Sequence, residues 1–242
     1  MNDSSRFVAN PYAITPRILR QTYMASILVL FVPLAYALWF FLWGISLGWV
    51  GIGIGALGWT IALFLRSPIA LLTSVFPATA KHITTIIVAF SGPCEELVRL
   101  AFILLLGRTF STALSIGLGW AAIEVIYAII NSFVVLSLFR RDDEKARQAR
   151  AMLEKMGLAQ AMFSTPPFVG IIERVFACAV QIGFTLLLAW QPLLILLTLP
   201  LHSMTNFIAL TLLRRSVVLA ELLIAIIGTI VLLAGLGAFG RF

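Results

Sequence analysis

The sequence predicts an all-α, polytopic membrane protein, and three observations carry that prediction. Of 242 residues, 61% are apolar and only 11% are charged, with a mean hydropathy of +1.06. The apolar residues gather into seven runs, each of about 20 residues or more, the length needed to cross a hydrocarbon layer roughly 30 Å thick. Basic residues fall almost entirely into alternate connections between those runs. No polar/apolar alternation of the kind seen in membrane β-strands occurs.

Taken in order, residues 1–23 form a mostly polar, cytoplasmic N-terminal segment, and no small-residue cleavage pattern follows the first apolar run. The spans are expected at 24–43, 45–65, 82–106, 110–139, 167–190, 193–213 and 216–239. Span two is dense in glycine (Gly48, Gly51, Gly53, Gly55, Gly58), which lets membrane helices approach closely. The run Gly53-Ile54-Gly55-Ala56-Leu57-Gly58 also spells a dinucleotide fingerprint. It lacks the strand-to-helix turn and the following acidic residue that such a site needs. Residues 140–166 read as a cytoplasmic loop. Within it Asp142, Asp143 and Glu144 mark a helix start, Ala146, Ala149, Leu153 and Met156 recur at helical spacing, and Gly157 marks the stop. This predicts a short amphipathic helix on the membrane surface. With no linker and no internal repeat, residues 1–242 read as one transmembrane domain.

Thirteen basic residues lie on one side of these spans and two, Arg108 and Arg241, on the other. The bias places the N-terminus in the cytoplasm and the C-terminus outside. The net charge of +7 then reflects topology and attraction to anionic lipids at the cytoplasmic face, not nucleic-acid binding. Cys94 and Cys178 sit within spans, where they read as small apolar residues, not a disulfide pair.

Ionisable groups inside spans are costly and mark functional sites. Span three carries Pro93-Cys94-Glu95-Glu96-Leu97-Val98-Arg99. Arg99 lies three residues after Glu96 and four after Glu95, so on a helix it can face either carboxylate. One division pairs Arg99 with Glu96 and leaves Glu95 to take a proton. Further groups are Glu124, Glu173, Arg174, His202, Asn206 and Glu221. At a helical rise of 1.5 Å, Glu95 and Glu124 lie roughly 20 Å, and His202 roughly 17 Å, from the cytoplasmic ends of their spans. Three helices thus bring ionisable groups to one level. Glu173 and Glu221 lie only about 8–9 Å deep, within snorkelling reach of water, although Glu173 and Arg174 can also wall a substrate access route. His202 and Asn206 share a helix face after Pro200, a residue expected to kink the span. Together they can donate hydrogen bonds to an oxyanion. Glu95, Glu124 and His202 are a conceivable zinc set, but the chain holds two histidines and no His-Glu-x-x-His helix. No metal and no other cofactor is expected.

Glu95-Glu96-x-x-Arg99, Trp120-Ala121-Ala122-Ile123-Glu124 and His202-Ser203-Met204-Thr205-Asn206 resemble, in order, the motifs of the glutamic intramembrane protease superfamily. That superfamily holds the CAAX prenyl endopeptidases (the Abi group) and the PrsW and YhfC families. The CAAX group usually has three residues between the second glutamate and the arginine, and here there are two. Gly117-Leu118-Gly119 before Glu124, Glu173-Arg174-Val175-Phe176-Ala177 and Gln181-Ile182 look most like the YhfC branch. The resemblance covers about residues 80–212, which it implies are a protease core. It implies hydrolysis of a peptide bond in a membrane-embedded peptide or protein substrate, in a bacterial cytoplasmic membrane. On that resemblance Glu95 activates water, Glu124 positions it, His202 and Asn206 stabilise the oxyanion, and Glu96 and Arg99 are a structural pair. Gln181 stands where some relatives carry histidine, and an amide is neither acid nor base. Two alternatives stay open: a catalytically silent scaffold or chaperone within a membrane complex, and a proton-linked transporter in which Glu95, Glu124 and His202 form a relay. The lack of two matching halves argues against the transporter.

Overall fold

The computed structural model describes residues 15–75, 80–155 and 167–241, which form helices joined by short connections, with no strand among them. Helix α1 (Pro16–Leu42) starts where Thr15 Oγ1 accepts the Ile18 amide at 3.3 Å and proline fills the first helical position. It stops before Gly44, whose φ of 74° favours glycine. Helix α2 (Trp49–Val75) follows, then α3 (Ala80–Ala89), α4 (Ser91–Leu106) and α5 (Phe110–Arg140). The short α6 (Glu144–Lys155) leads on to α7 (Pro167–Trp190), and a 3-10 turn at Pro192–Leu194 opens α8 (Ile195–Leu213) before α9 (Val217–Ala238). Among the described residues, six helices (α1, α2, α5, α7, α8 with its 3-10 turn, and α9) are long and apolar enough to cross a membrane. This is an all-α integral membrane protein.

The expected third span is not one rod. It breaks at Phe90 into α3 and α4, five residues before Glu95. Pro93 has no amide hydrogen, so the Ala89 carbonyl loses the donor that would continue the helix. Ser203 Oγ on α8 supplies that bond at 2.7 Å and accepts the Gly92 amide at 3.1 Å. Ser91 Oγ closes the adjacent gap by donating to the Val88 carbonyl at 2.7 Å. Broken backbone is tolerated at membrane depth when protein re-satisfies it, and here α8 does so. A Cβ on Gly92 would stand 2.2 Å from the Leu199 carbonyl, so only glycine lets α8 come this close.

Helix α2 corrects a second expectation. It continues through Arg66 to Val75, so Arg66 is a helix residue, not a loop charge. Removing it from the count still leaves 12 basic residues against 2. The glycines of α2 act as expected: a Cβ on Gly55 would lie 2.0 Å from the Ile116 carbonyl, and one on Gly119 of α5 would lie 1.9 Å from the Ile52 carbonyl. Each helix thus presents a glycine to the other's backbone.

Helix α7 is the axis of the bundle, with 56% of its span buried against 17–22% for the other spans. It packs on α1, α4, α5 and α9, and its Ile182, Leu186 and Leu188 meet Ile103, Leu114 and Leu236 in the main core. Arginines tie the ends of the bundle. Arg108 donates to the last carbonyls of α7, Ala189 at 2.7 Å and Trp190 at 2.5 Å. Arg150 of α6 donates to the Arg141 carbonyl at 2.8 Å and the Leu138 carbonyl at 3.3 Å, closing α5. The short helix expected in the 140–166 loop is present as α6. Asp143 Oδ1 caps it by accepting the Ala146 amide at 3.1 Å. That bond, with help from Arg141, holds the Asp143 carboxyl below its usual range. Residues 1–14 of the N-terminal segment, and Met156, Gly157 and the rest of the loop to 166, lie outside the described residues.

Candidate active site

The first turns of α4 follow the break immediately, so Glu95, Glu96 and Arg99 all turn inward on one buried face. Arg99 is fully buried, with Nη2 3.3 Å from Glu96 Oε1 and 3.9 Å from Glu95 Oε2. Its guanidinium lies 4.5 Å from the Trp120 ring centroid. It also donates to the Gln181 carbonyl at 2.7 Å, to Thr185 Oγ1 at 3.1 Å and to Gln181 Oε1. Buried charges persist only when paired and hydrogen-bonded in this way. Glu96 and Arg99 thus form a buried ion pair.

His202 enters from α8. Its Nδ1 lies 2.7 Å from Glu96 Oε1, and its ring stacks on Phe184 at 5.5 Å. A proton on Nδ1 donated to Glu96 fixes the ring and turns Nε2 toward Glu95, whose Oε2 is 3.7 Å away. Glu95 Oε2 also accepts the Trp120 indole N–H at 3.2 Å. The side chains of Glu95 and His202 are only 4% and 5% exposed.

Arg66 is the residue that sequence reasoning missed. Its Nη2 is 2.9 Å from Glu95 Oε1 in an ion pair, and its Nε is buried with no hydrogen-bond partner among the described residues. Placed directly after the apolar run that ends at residue 65, it reads from sequence alone as an ordinary loop cation. The one signal is that apolar residues resume after Pro68, and a helix can run on through that proline.

Glu124 does not touch Glu95 or His202. Its Oε2 accepts from Gln181 Nε2 at 2.5 Å and its Oε1 lies 3.3 Å from Arg174 Nη1, while Arg174 also clasps Glu173. Gln181 donates to Glu124 and accepts from Arg99, so one amide joins the two halves of the network. Asn206 takes a different place from the one expected. Its Nδ2 donates to Ser91 Oγ at 2.9 Å, at the helix break, because Ser91 heads α4 one turn before Glu95. Among the described residues, Glu221 enters none of these pairs and its Oε2 is buried without a partner.

Residues 28–228 match the family described as YhfC intramembrane metalloprotease. The chain belongs to that family. No curated protein and no solved structure matches it.

The family's description names a metal, and the donor set decides whether these residues suit one. A catalytic zinc takes three protein ligands at about 2.0–2.3 Å. Here two donor atoms converge, Glu95 Oε2 and His202 Nε2. The other Glu95 oxygen is held by Arg66, Glu96 Oε1 by His202 and Arg99 with its Oε2 unpartnered among the described residues, and both Glu124 oxygens by Gln181 and Arg174. No group of three or more such side chains is placed to hold an ion among the described residues. Two guanidiniums also lie within 3.9 Å of the Glu95 carboxylate, where they oppose a divalent cation. Among the described residues, this donor set does not fit a resident metal.

Proposed function

We propose that this protein is an intramembrane endopeptidase in which Glu95 activates a water molecule without a resident metal. The single observation that carries this reading is the facing pair, Glu95 Oε2 and His202 Nε2, 3.7 Å apart inside a buried ring of counter-charges. A water within hydrogen-bond reach of both, about 2.8 Å, is poised to attack a carbonyl beside them.

The charges define the proton path. Four carboxylates (Glu95, Glu96, Glu124, Glu173) face three guanidiniums (Arg66, Arg99, Arg174), so one further proton, held on His202, balances the network. Glu95 takes a proton from water as its oxygen bonds to the carbonyl carbon. Negative charge leaves Glu95 and appears on the carbonyl oxygen. Arg66, no longer opposed by a carboxylate, turns its guanidinium and its unpartnered Nε–H toward that oxygen, a fixed cation for the developing charge. His202 Nε2 gives its proton to the departing nitrogen, the carbon–nitrogen bond breaks, and the Glu95 proton passes to His202 as the products leave. Asn206 acts here by positioning Ser91 and the start of α4. Glu124, Gln181 and Arg174 hold Arg99 from the far side, and Glu173 with Arg174 lines the more open approach, with side chains 17–19% exposed.

The substrate class is a membrane-embedded peptide or protein, because a site buried among transmembrane helices meets such chains first. The 12-to-2 distribution of basic residues supports a cytoplasmic N-terminus with anionic lipids as neighbours, and we place the protein in a bacterial cytoplasmic membrane. A membrane complex is a further class of partner. Hydrolysis leaves a new protein N-terminus, and mass spectrometry of enriched N-termini reads it directly. Membranes from cells making the protein are expected to contain new N-termini within or beside transmembrane segments that are missing from cells lacking it. Identical N-termini in both, together with a stoichiometric co-purifying partner, would favour the silent scaffold instead.

A further inference from the structure

Where α1 and α5 meet at the end of the bundle that carries α6, they flank an open cleft of about 440 Å³, a size typical of ligand sites (roughly 300–1,000 Å³). Its walls are Leu19 and Tyr23 from α1 and Phe133 and Leu136 from α5, with Arg140 and Arg141 at the mouth. Tyr23 and Phe133 stand 5.0 Å apart, ring to ring. The cleft is therefore apolar at depth and cationic at the level where a membrane helix ends.

The local charge balance singles out Arg140. Arg141 is engaged by Asp143 at 2.7 Å. Asp142 lies 3.8 Å from Arg147 and 3.7 Å from Arg150, and Glu144 lies 3.1 Å from Arg147. Each acid of the connection thus has a basic partner. Arg140 is exposed and has no carboxylate partner among the described residues. An unpaired guanidinium above a largely apolar, aromatic-walled slot matches a group that is anionic at one end and hydrocarbon at the other. Guanidinium forks pair well with phosphate oxygens, and basic pockets between transmembrane helices take up lipid head groups.

We propose that this cleft is a binding site for one anionic glycerophospholipid, its phosphate on Arg140 and an acyl chain lying between Tyr23 and Phe133. The site lies outside the Glu95 network and uses none of its residues. Such a lipid bridges the start of α1 to the end of α5.

Native mass spectrometry of the purified full-length protein in detergent tests this. The probes are phosphatidylglycerol, phosphatidylcholine and glycerol 3-phosphate. Phosphatidylglycerol is expected to bind more tightly than phosphatidylcholine, and glycerol 3-phosphate far more weakly than either. Arg140→Gln removes one charge-assisted bond and is expected to weaken phosphatidylglycerol binding about tenfold. Leu19→Trp fills the slot at constant charge and should weaken it too, whereas Lys145→Gln on exposed α6 should leave it unchanged. Unaltered affinity in Arg140→Gln would overturn the proposal, as would an equal loss in Lys145→Gln, the sign of diffuse attraction. Glycerol 3-phosphate binding as tightly as the lipid would overturn it by assigning the site to a free phosphate.

Discussion

Glu95→Gln lowers peptide-bond cleavage by about 10²–10⁴-fold, the range that a positioned general base contributes, while the protein still inserts and folds. The two parts of this expectation have separate physical grounds. Glutamine keeps the shape of the side chain, and its carbonyl oxygen can still accept from the Trp120 indole and hold α4 to α5, while its NH2 cannot accept from Arg66. Arg66, left without a counter-charge, has 18% of its side chain exposed and can stay solvated. What glutamine cannot do is take the water proton. Enriched N-termini from membranes carrying the variant, compared with wild type at matched abundance, measure the loss. Cleavage retained at the wild-type level would remove Glu95 from the reaction.

Arg99→Met has the largest effect on stability. The guanidinium is fully buried, and it is the cation that faces both carboxylates of α4. Without it Glu96, also fully buried, keeps His202 as its one counter-charge among the described residues, where its Oε2 has no hydrogen-bond partner. Removing one member of a buried ion pair costs about 3–5 kcal/mol, a large part of the stability of most domains. The variant should therefore unfold in mild detergent or melt well below wild type. Adding Glu96→Gln discharges the stranded carboxylate and should recover part of the loss. A melting profile like wild type in Arg99→Met, measured by thermal unfolding in the same detergent, would show that the pairing does not hold the core.

Much of this site could be read in the chain, for reasons of depth and spacing. Burial of charge is so unfavourable in lipid that Glu95, Glu96, Arg99 and His202 announced themselves, and the helical rise placed them at one level. The structure brings these four into contact. Glu124 shared the level but not the contact, because depth says nothing about which way a helix faces. Gln181 fills the space between Glu124 and Arg99, a role fixed by α7 lying at the centre of the bundle and invisible in a single amide. Asn206 shares a helix with His202, yet its amide meets Ser91 because α8 must seal the break that Pro93 opens. That break was hidden because proline scores as one more apolar residue in a hydropathy run. Arg66 was hidden for the opposite reason: a charge at the edge of an apolar run looks like the start of a loop.

The central claim is that Glu95 and His202 activate water with arginine, not metal, as the fixed cation. Its most direct test is cleavage by the purified protein, on a substrate found through the new N-termini, before and after exhaustive chelation and alongside elemental analysis. The rate should be unchanged by chelation, and the protein should hold no stoichiometric transition metal. A bound zinc in equimolar amount, with activity lost on chelation and restored by zinc, would contradict it.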